Sequence, residues 1–126
     1  MMAYKNKPLS KGLFLSPVVD MKCIINNMMT WFDISEGRLK SEKEIDTPIK
    51  TLYWDYYKYV LDHPVEWSIH TSLLYGENDT ICELDYVTAF AKSVGADITI
   101  SKECEHFFHT HEQLNIFRKW LKDNIL

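Results

Sequence analysis

The sequence has few cysteines, and they are far apart. There are three of them, Cys23, Cys82 and Cys104, in 126 residues. An odd number without a close pair predicts free thiols rather than a disulfide framework. Free thiols are typical of a reducing compartment, and the start of the sequence lacks the basic and then apolar order of a signal peptide. We therefore expect a cytoplasmic protein.

The sequence also lacks a basic cluster and a long apolar run. Its 14 lysines and arginines and 18 aspartates and glutamates give a formal net charge of −4, whereas a nucleic-acid surface needs a stripe of basic residues. The apolar residues 13–19 are interrupted by Pro17 and fall short of the ~20 residues that span a membrane. We therefore expect neither a nucleic-acid partner nor a membrane partner.

Glycine is scarce, and its four positions exclude one catalytic motif. Gly12, Gly37, Gly76 and Gly95 never flank a serine or cysteine in the pattern G-x-S-x-G, which exposes the nucleophile of many hydrolases on a sharp turn. The sequence therefore contains no nucleophile elbow. With 46% hydrophobic residues it otherwise has the composition of an ordinary folded protein, and its length fits a single domain, residues 1–126.

What the sequence does contain is a regular alternation of strand and helix patterns. Short apolar runs bounded by turn residues predict three strands, at residues 11–17, 68–75 and 97–101. Apolar residues at helical spacing predict helices at residues 20–32, 52–61, 84–94 and 110–125. Strands that alternate with helices pair in parallel through right-handed crossovers. The sequence therefore predicts an α/β fold with a sheet of three parallel strands.

Local signals mark the ends of several elements. Asp20 is a suitable N-cap for the first long helix. The segments that begin at Thr80 and Thr110 have the form of capping boxes, in which a threonine and an acid or amide three residues later satisfy each other's backbone N–H groups. Residues 33–50 are polar and predict a loop with at most one short helix. Residues 1–7 have the pattern of a helix end.

Two polar side chains follow two of the predicted strands directly. The second predicted strand stops at a turn that begins with Gly76, with Asp79 three residues after this glycine, and the loop after the third strand carries His106. The carboxyl ends of parallel strands meet at one edge of the sheet, which is where open α/β sheets bind ligands. We therefore expect Asp79 and His106 to form an acid–base pair, and the alternative for Asp79 is a simple turn or cap residue.

The loop after the third strand allows two further interpretations. It contains side chains of the types that bind zinc, namely Cys104, Glu105, His106, His109 and His111. The sequence has no second cluster of such ligands, so we predict neither a metal nor another cofactor. A cysteine–histidine nucleophile pair of Cys104 and His106 has poor geometry, because the two residues are only two positions apart on one loop.

The residues around the two strand ends resemble a known family. Residues 73–79 read Leu-Leu-Tyr-Gly-Glu-Asn-Asp and residues 105–109 read Glu-His-Phe-Phe-His, with a helix and a strand between them. Together they resemble the C-terminal half of the α/β-hydrolase superfamily, in its esterase, lipase and serine-peptidase branch. The resemblance implies a partial α/β-hydrolase fold that contains the last three strands of the family sheet. It also implies that residues 20–64 are a helical cap insertion.

The resemblance implies roles for individual residues as well. In the family the catalytic triad follows the chain order serine, acid, histidine, so Asp79 and His106 match its acid and its base. The serine and the oxyanion hole are missing, which implies the C-terminal portion of a truncated or split gene product that is inactive until an N-terminal half completes it. Its substrate would be a small ester or amide.

The insertion carries aromatic and methionine side chains with two interpretations. We expect Met28, Trp31 and Tyr57 to line a substrate pocket, and the alternative for each is packing in the core. A second hypothesis for the whole chain is a non-catalytic module. In that case the strand Gly12–Leu15, unpaired on one side, pairs with a partner or with a second copy of the chain.

Overall fold

The computed structural model describes residues 1–125. Its elements in chain order are β1 (Gly12–Leu15), α1 (Met21–Trp31), α2 (Glu36–Glu42), β2 (Glu44–Ile45), β3 (Leu52–Tyr53), α3 (Trp54–Asp62), β4 (Thr71–Gly76), α4 (Leu84–Val94), β5 (Asp97–Ser101) and α5 (His111–Ile125). A single 3-10 turn, Met2–Tyr4, precedes them. The helix end predicted for residues 1–7 is therefore only this short turn.

The chain divides into two compact units. The sheet unit comprises Met1–Val19 and Glu66–Leu126, and the insertion unit comprises Asp20–Val65. The chain thus leaves the sheet unit after β1 and returns to it shortly before β4. No helix within residues 1–125 is long and apolar enough to cross a membrane.

The sheet unit contains three parallel strands in the order β1-β4-β5. This confirms the α/β class and the parallel sheet predicted from the sequence. All six residues of β4 are buried, as expected for a central parallel strand covered on both faces. Within the described residues β1 pairs only with β4, so β1 lies at an edge of this sheet.

The two faces of β4 pack against different parts of the sheet unit. Leu74 belongs to a buried cluster with Cys104 and Phe108 of the loop after β5 and with Trp120 of α5. Successive side chains of a strand point to opposite faces, so Tyr75 points away from this cluster. The loop after β5 therefore packs on one face of β4, and the side chain of Tyr75 is available for contacts on the other face.

The insertion unit has its own hydrophobic core. Asp20 caps α1 by accepting the backbone N–H of Cys23 at 2.8 Å, which confirms the predicted N-cap. The core is formed by Ile25, Met28, Met29, Ile34, Leu39, Ile45, Leu52 and Tyr57. These side chains come from all three helices, from both short strands and, for Ile34, from the loop between α1 and α2.

The two short strands of the insertion unit were not predicted from the sequence. Residues 33–50 contain the short helix α2, as predicted, but also β2, which pairs antiparallel with β3. Leu52 and Tyr53 belong to β3, so α3 begins at Trp54 rather than at residue 52. Strands of two residues are too short to show the alternating pattern from which strands are predicted.

Candidate acid–base site

The structure brings Asp79 and His106 into direct contact at the carboxyl ends of β4 and β5. His106 Nδ1 donates a hydrogen bond to Asp79 Oδ2 at 2.7 Å. The Asp79 side chain is 0% exposed and the His106 side chain 14% exposed. The short distance and the low exposure indicate a strong hydrogen bond that is largely shielded from water.

The backbone after β4 holds the Asp79 carboxylate in place. Asp79 Oδ1 accepts the N–H groups of Ile81 at 2.8 Å and Cys82 at 2.9 Å. Both carboxylate oxygens thus have partners, and rotation of the group would break at least one bond. The predicted capping box at Thr80 is wrong, because α4 begins later, with Glu83 as an N-cap that makes no side-chain bond.

The contact with Asp79 determines which nitrogen of His106 is the base. A carboxylate only accepts hydrogen bonds, so Nδ1 carries the proton and the neutral ring keeps its lone pair on Nε2. Nε2 has no hydrogen-bond partner within residues 1–125. The ring of Phe107 stands edge-on to the imidazole, with 4.8 Å between ring centroids. The arrangement can accept a proton at Nε2 and hold the resulting imidazolium against a carboxylate.

Gly76 allows the two loops to meet. A Cβ atom at this position would lie 2.7 Å from the carbonyl carbon of Cys104, and closer still to the carbonyl oxygens of Cys104 and Glu105. In place of a side chain, the loop after β5 packs directly on the backbone of β4. The N–H of Asn78 donates to the carbonyl of Cys104 at 2.9 Å, which fastens the Asp79 turn to the His106 loop.

Gln113 fastens the other side of the His106 loop. Its Oε1 accepts the N–H groups of His109 at 3.0 Å and Thr110 at 3.2 Å, and its Nε2 donates to the carbonyl of Glu103 at 3.5 Å. The Gln113 N–H in turn donates to Thr110 Oγ1 at 3.2 Å, so the predicted capping box at Thr110 is confirmed. One buried side chain thus holds both ends of the segment that carries His106.

Burial around Asp79 changes the acidity of two neighbouring groups. Burial, and then the charge of Asp79, raise the pKa of the Cys82 thiol to about 11. The pKa of the Tyr75 phenol is raised by burial first and then by the charges of Asp79, Cys82 and Glu83. Both groups stay protonated at neutral pH and add no charge beside the Asp79 carboxylate.

The other polar residues of the His106 loop do not join the site. Cys104 is buried in the core of the sheet unit, and its Sγ lies 3.0 Å from Ser101 Oγ. His109 is exposed and bonds through Nδ1 to the carbonyl of Phe107 at 2.9 Å. No group of three or more histidine, cysteine or acidic side chains in residues 1–125 is arranged to hold a metal ion. A nucleophile pair of Cys104 and His106 does not fit these contacts, because the Cys104 thiol contacts Ser101 and His106 Nδ1 bonds to Asp79.

The three predicted pocket residues of the insertion have different positions. Met28 is buried in the core of the insertion unit, whereas Trp31, at the end of α1, is 66% exposed. Tyr57 is buried, and its hydroxyl donates to Asn26 Oδ1 at 2.9 Å. Burial, and then the charge of Glu36, raise the pKa of the Tyr57 phenol.

Tyr57 also lines a cavity within the insertion unit. The cavity has a volume of about 500 Å³ and is lined by Asn26, Met29, Thr30, Asp33, Ile34, Ser35, Glu36, Arg38 and Tyr57. Met29 and Ile34 are its apolar members, and the others present amide, hydroxyl and charged groups. Of the three residues predicted to line a pocket, Tyr57 is therefore the one that borders this cavity.

Comparison with known proteins does not extend this description. No family model matches the chain, and no curated protein matches it. A fold alone does not determine a function. The geometry around Asp79 and His106 is therefore the basis for a functional proposal.

Proposed function

We propose that Asp79 and His106 are the acid and the base of a serine-hydrolase-type site that cleaves a carboxylic ester or amide. The observation that carries the proposal is the 2.7 Å bond from His106 Nδ1 to a fully buried carboxylate. In the proposed mechanism Nε2 takes the proton of an attacking hydroxyl and returns it to the leaving group. Asp79 holds the ring in the productive tautomer and stabilises the imidazolium.

The hydroxyl nucleophile, in this proposal, comes from a separate polypeptide segment. No serine hydroxyl within residues 1–125 bonds to His106, and Ser16 Oγ, at the carboxyl end of β1, is buried without a partner. We propose an N-terminal half that supplies the serine and the oxyanion hole. One oxyanion donor is worth about 3–4 kcal/mol, so this chain alone hydrolyses esters at no enzyme-like rate.

The proposed fold is the C-terminal part of an α/β-hydrolase, with the insertion unit as its cap and the cytoplasm as its location. The parallel order β1-β4-β5 supports it, because Asp79 and His106 then follow neighbouring strands in the family's chain order. The cavity beside Tyr57 supports a role for the insertion in binding the substrate. The three free cysteines support the location, because free thiols are typical of a reducing compartment.

A complementation experiment tests this function. The chain is treated with a fluorophosphonate probe and a short-chain p-nitrophenyl ester, alone and together with an N-terminal α/β-hydrolase half that ends after the nucleophile elbow. We expect no reaction from the chain alone. With both halves present we expect labelling of the added half and hydrolysis of the ester.

Two variants make the result specific to the acid–base pair. His106→Ala should lower hydrolysis by the mixture about 10³-fold or more, whereas His109→Ala, an exposed histidine three residues away, should leave it unchanged. Equal rates for the unaltered mixture and His106→Ala would contradict the proposal. If the probe labels the chain alone, and Ser16→Ala abolishes this labelling, then Ser16 is the nucleophile and no second segment supplies it.

A second candidate function is pairing through the edge strand β1. The observation that favours it is that β1 has a single neighbouring strand among the described residues, and a free edge is a template for another strand. We expect the chain to self-associate in size-exclusion chromatography with light scattering. Leu15→Lys should restore a monomer, because Leu15 is partly exposed on β1 and a charge there opposes strand addition. A sharp monomer from the unaltered chain would exclude this function.

A further inference from the structure

Tyr75, the penultimate residue of β4, makes a hydrogen bond that the acid–base chemistry does not require directly. Its side chain is almost completely buried. The hydroxyl donates to the carbonyl oxygen of Cys82 at 2.7 Å and lies 3.5 Å from the carbonyl oxygen of Asp79. The phenol therefore spans the turn of residues 79–82, which carries the acid of the pair.

One residue, Cys82, bonds to both the phenol and the carboxylate through its backbone. Cys82 donates its N–H to Asp79 Oδ1 and accepts the Tyr75 hydroxyl at its carbonyl oxygen. Tyr75 belongs to the buried strand β4, so the bond from its hydroxyl ties the position of the turn to that of the strand. Without this bond the turn would keep its internal bonds and its contacts with the His106 loop, but its Cys82 end would lose the side-chain bond to β4.

Tyr75 and Gly76 act on opposite faces of one strand end. Gly76 lies on the face where the backbone of Cys104 and Glu105 packs, and the adjacent Tyr75 points to the other face, where it reaches the 79–82 turn. One face of β4 thus sets the position of the base, and the other sets the position of the acid. The 2.7 Å contact between them depends on both.

We propose that Tyr75 is a positioning residue for the Asp79–His106 pair, whose hydroxyl holds the 79–82 turn so that Asp79 Oδ2 stays in line with His106 Nδ1. The inference rests on the proposed function for its catalytic meaning, but the contact itself does not depend on any activity. Tyr75 is not a catalytic residue, since it touches neither imidazole atoms nor the site of the transferred proton. Its raised pKa, caused mainly by burial, keeps the phenol protonated and able to donate.

The test is Tyr75→Phe in the full chain, observed through the imidazole of His106. The Nδ1–H proton of His106 should give a low-field NMR resonance, since it is bonded to a carboxylate. In Tyr75→Phe we expect this proton to exchange with water about tenfold faster, because the acceptor moves more freely. Asp79→Asn, which removes the charged acceptor, should abolish the low-field signal and serves as the reference.

Tyr57→Phe is the matched control. Tyr57 is also a buried tyrosine whose hydroxyl makes a hydrogen bond, but its partner is Asn26 in the insertion unit. Loss of that hydroxyl should leave the His106 Nδ1–H exchange rate unchanged. Installing 4-aminophenylalanine at position 75 restores a donor on the ring, and it should bring the exchange rate back toward that of the unaltered chain. An unchanged rate in a folded Tyr75→Phe variant overturns the proposal.

A measurement on the unaltered chain decides the question if Tyr75→Phe does not fold. The Tyr75 hydroxyl proton should then be visible by NMR and exchange slowly with water, as a buried and bonded hydroxyl does. A freely exchanging hydroxyl would overturn the proposal. None of these readouts uses hydrolysis, so a chain that fails the complementation experiment can still show this role for Tyr75.

Discussion

Asn78 donates its backbone N–H to the carbonyl oxygen of Cys104 at 2.9 Å, and this bond ties the turn that carries the acid to the loop that carries the base. Asn78 directly precedes Asp79, and Cys104 lies two residues before His106. The side-chain contact between Asp79 and His106 is therefore supported by a backbone contact beside it. Changes that separate the two backbones should break the side-chain contact as well.

Gly76→Ala should separate them. The added Cβ would overlap the backbone of Cys104 and Glu105, and backbone atoms have less freedom to move aside than the end of a side chain. We expect a loss of about 1–3 kcal/mol in the free energy of unfolding, measured in urea. We also expect loss of the low-field Nδ1–H resonance of His106.

Gly37→Ala is the control for that substitution. Gly37 lies in α2, and a Cβ there meets no atom within 4 Å. Alanine favours a helix over glycine, so this variant should gain about 0.5–1 kcal/mol. Equal and small effects of the two substitutions would contradict the close packing at Gly76.

Asp79→Asn should change the tautomer of His106. The amide oxygen can still accept the N–H groups of Ile81 and Cys82, but the amide nitrogen then faces Nδ1 as a donor. His106 must then present a lone pair at Nδ1 and carry its proton on Nε2, so Nε2 can no longer accept a proton as a base. Imidazole ¹⁵N shifts would report the exchange of roles. We expect a loss of about 1.5–3 kcal/mol in stability at neutral pH.

Asp97→Asn is the matched control for Asp79→Asn. Asp97 is an exposed aspartate at the start of β5, so its substitution should change the stability by less than about 0.5 kcal/mol. The His106 tautomer should be the same as in the unaltered chain. Retention of the original tautomer in Asp79→Asn would show that Asp79 does not determine it.

Gln113→Ala should destabilise the chain more than Thr110→Ala. Threonine contributes one capping bond to α5, and its loss should cost about 1 kcal/mol. Gln113 satisfies the N–H groups of both His109 and Thr110, so its loss should cost about 2 kcal/mol. Amide exchange at His109 should accelerate only in Gln113→Ala. A larger cost for Thr110→Ala would mean that the cap, and not the loop contact, is the main role of this segment.

Cys82 should make stability depend on pH in the alkaline range. Its pKa is raised from 9.0 to about 11 in the folded chain, so between these values the unfolded chain loses the proton more readily than the folded one. The contribution is complete below pH 9 and is lost as the pH rises toward 11. The fall should reach about 2–3 kcal/mol, measured by urea unfolding across this range.

Cys82→Ala isolates this contribution. The variant should be less stable at pH 8 because it loses buried volume, but its stability should fall less steeply between pH 9 and 11. Tyr57 and Tyr75, whose pKa values are also raised by burial, remain and account for part of the residual slope. Parallel curves for the two chains would show that the Cys82 thiol is not protected from ionisation.

The elements with a strong local pattern were predicted correctly. The helical spacing from Met21 to Phe32 and the cap at Asp20 depend only on residues within a few turns of each other, and α1 has these features. The three apolar runs form three parallel strands in one sheet. The predictions that were wrong concern segments in which the local pattern is short, or in which a neighbouring side chain binds the backbone in another way. The strands β2 and β3 have two residues each, which is too short to show a period. The predicted cap at Thr80 is not formed, and the Asp79 carboxylate binds the backbone N–H groups of Ile81 and Cys82 in this turn.

Order along the chain was enough to expect Asp79 and His106 at the same edge of the sheet, because parallel strands end on one side. The contact itself joins residues 27 positions apart, and no local pattern encodes such a distance. It depends on a glycine that lets two backbones touch, on Gln113 across the His106 loop and on the phenol of Tyr75 beneath the Asp79 turn. Periodicity specifies which face a residue occupies, whereas hydrogen-bond partners are selected only when the loops are packed.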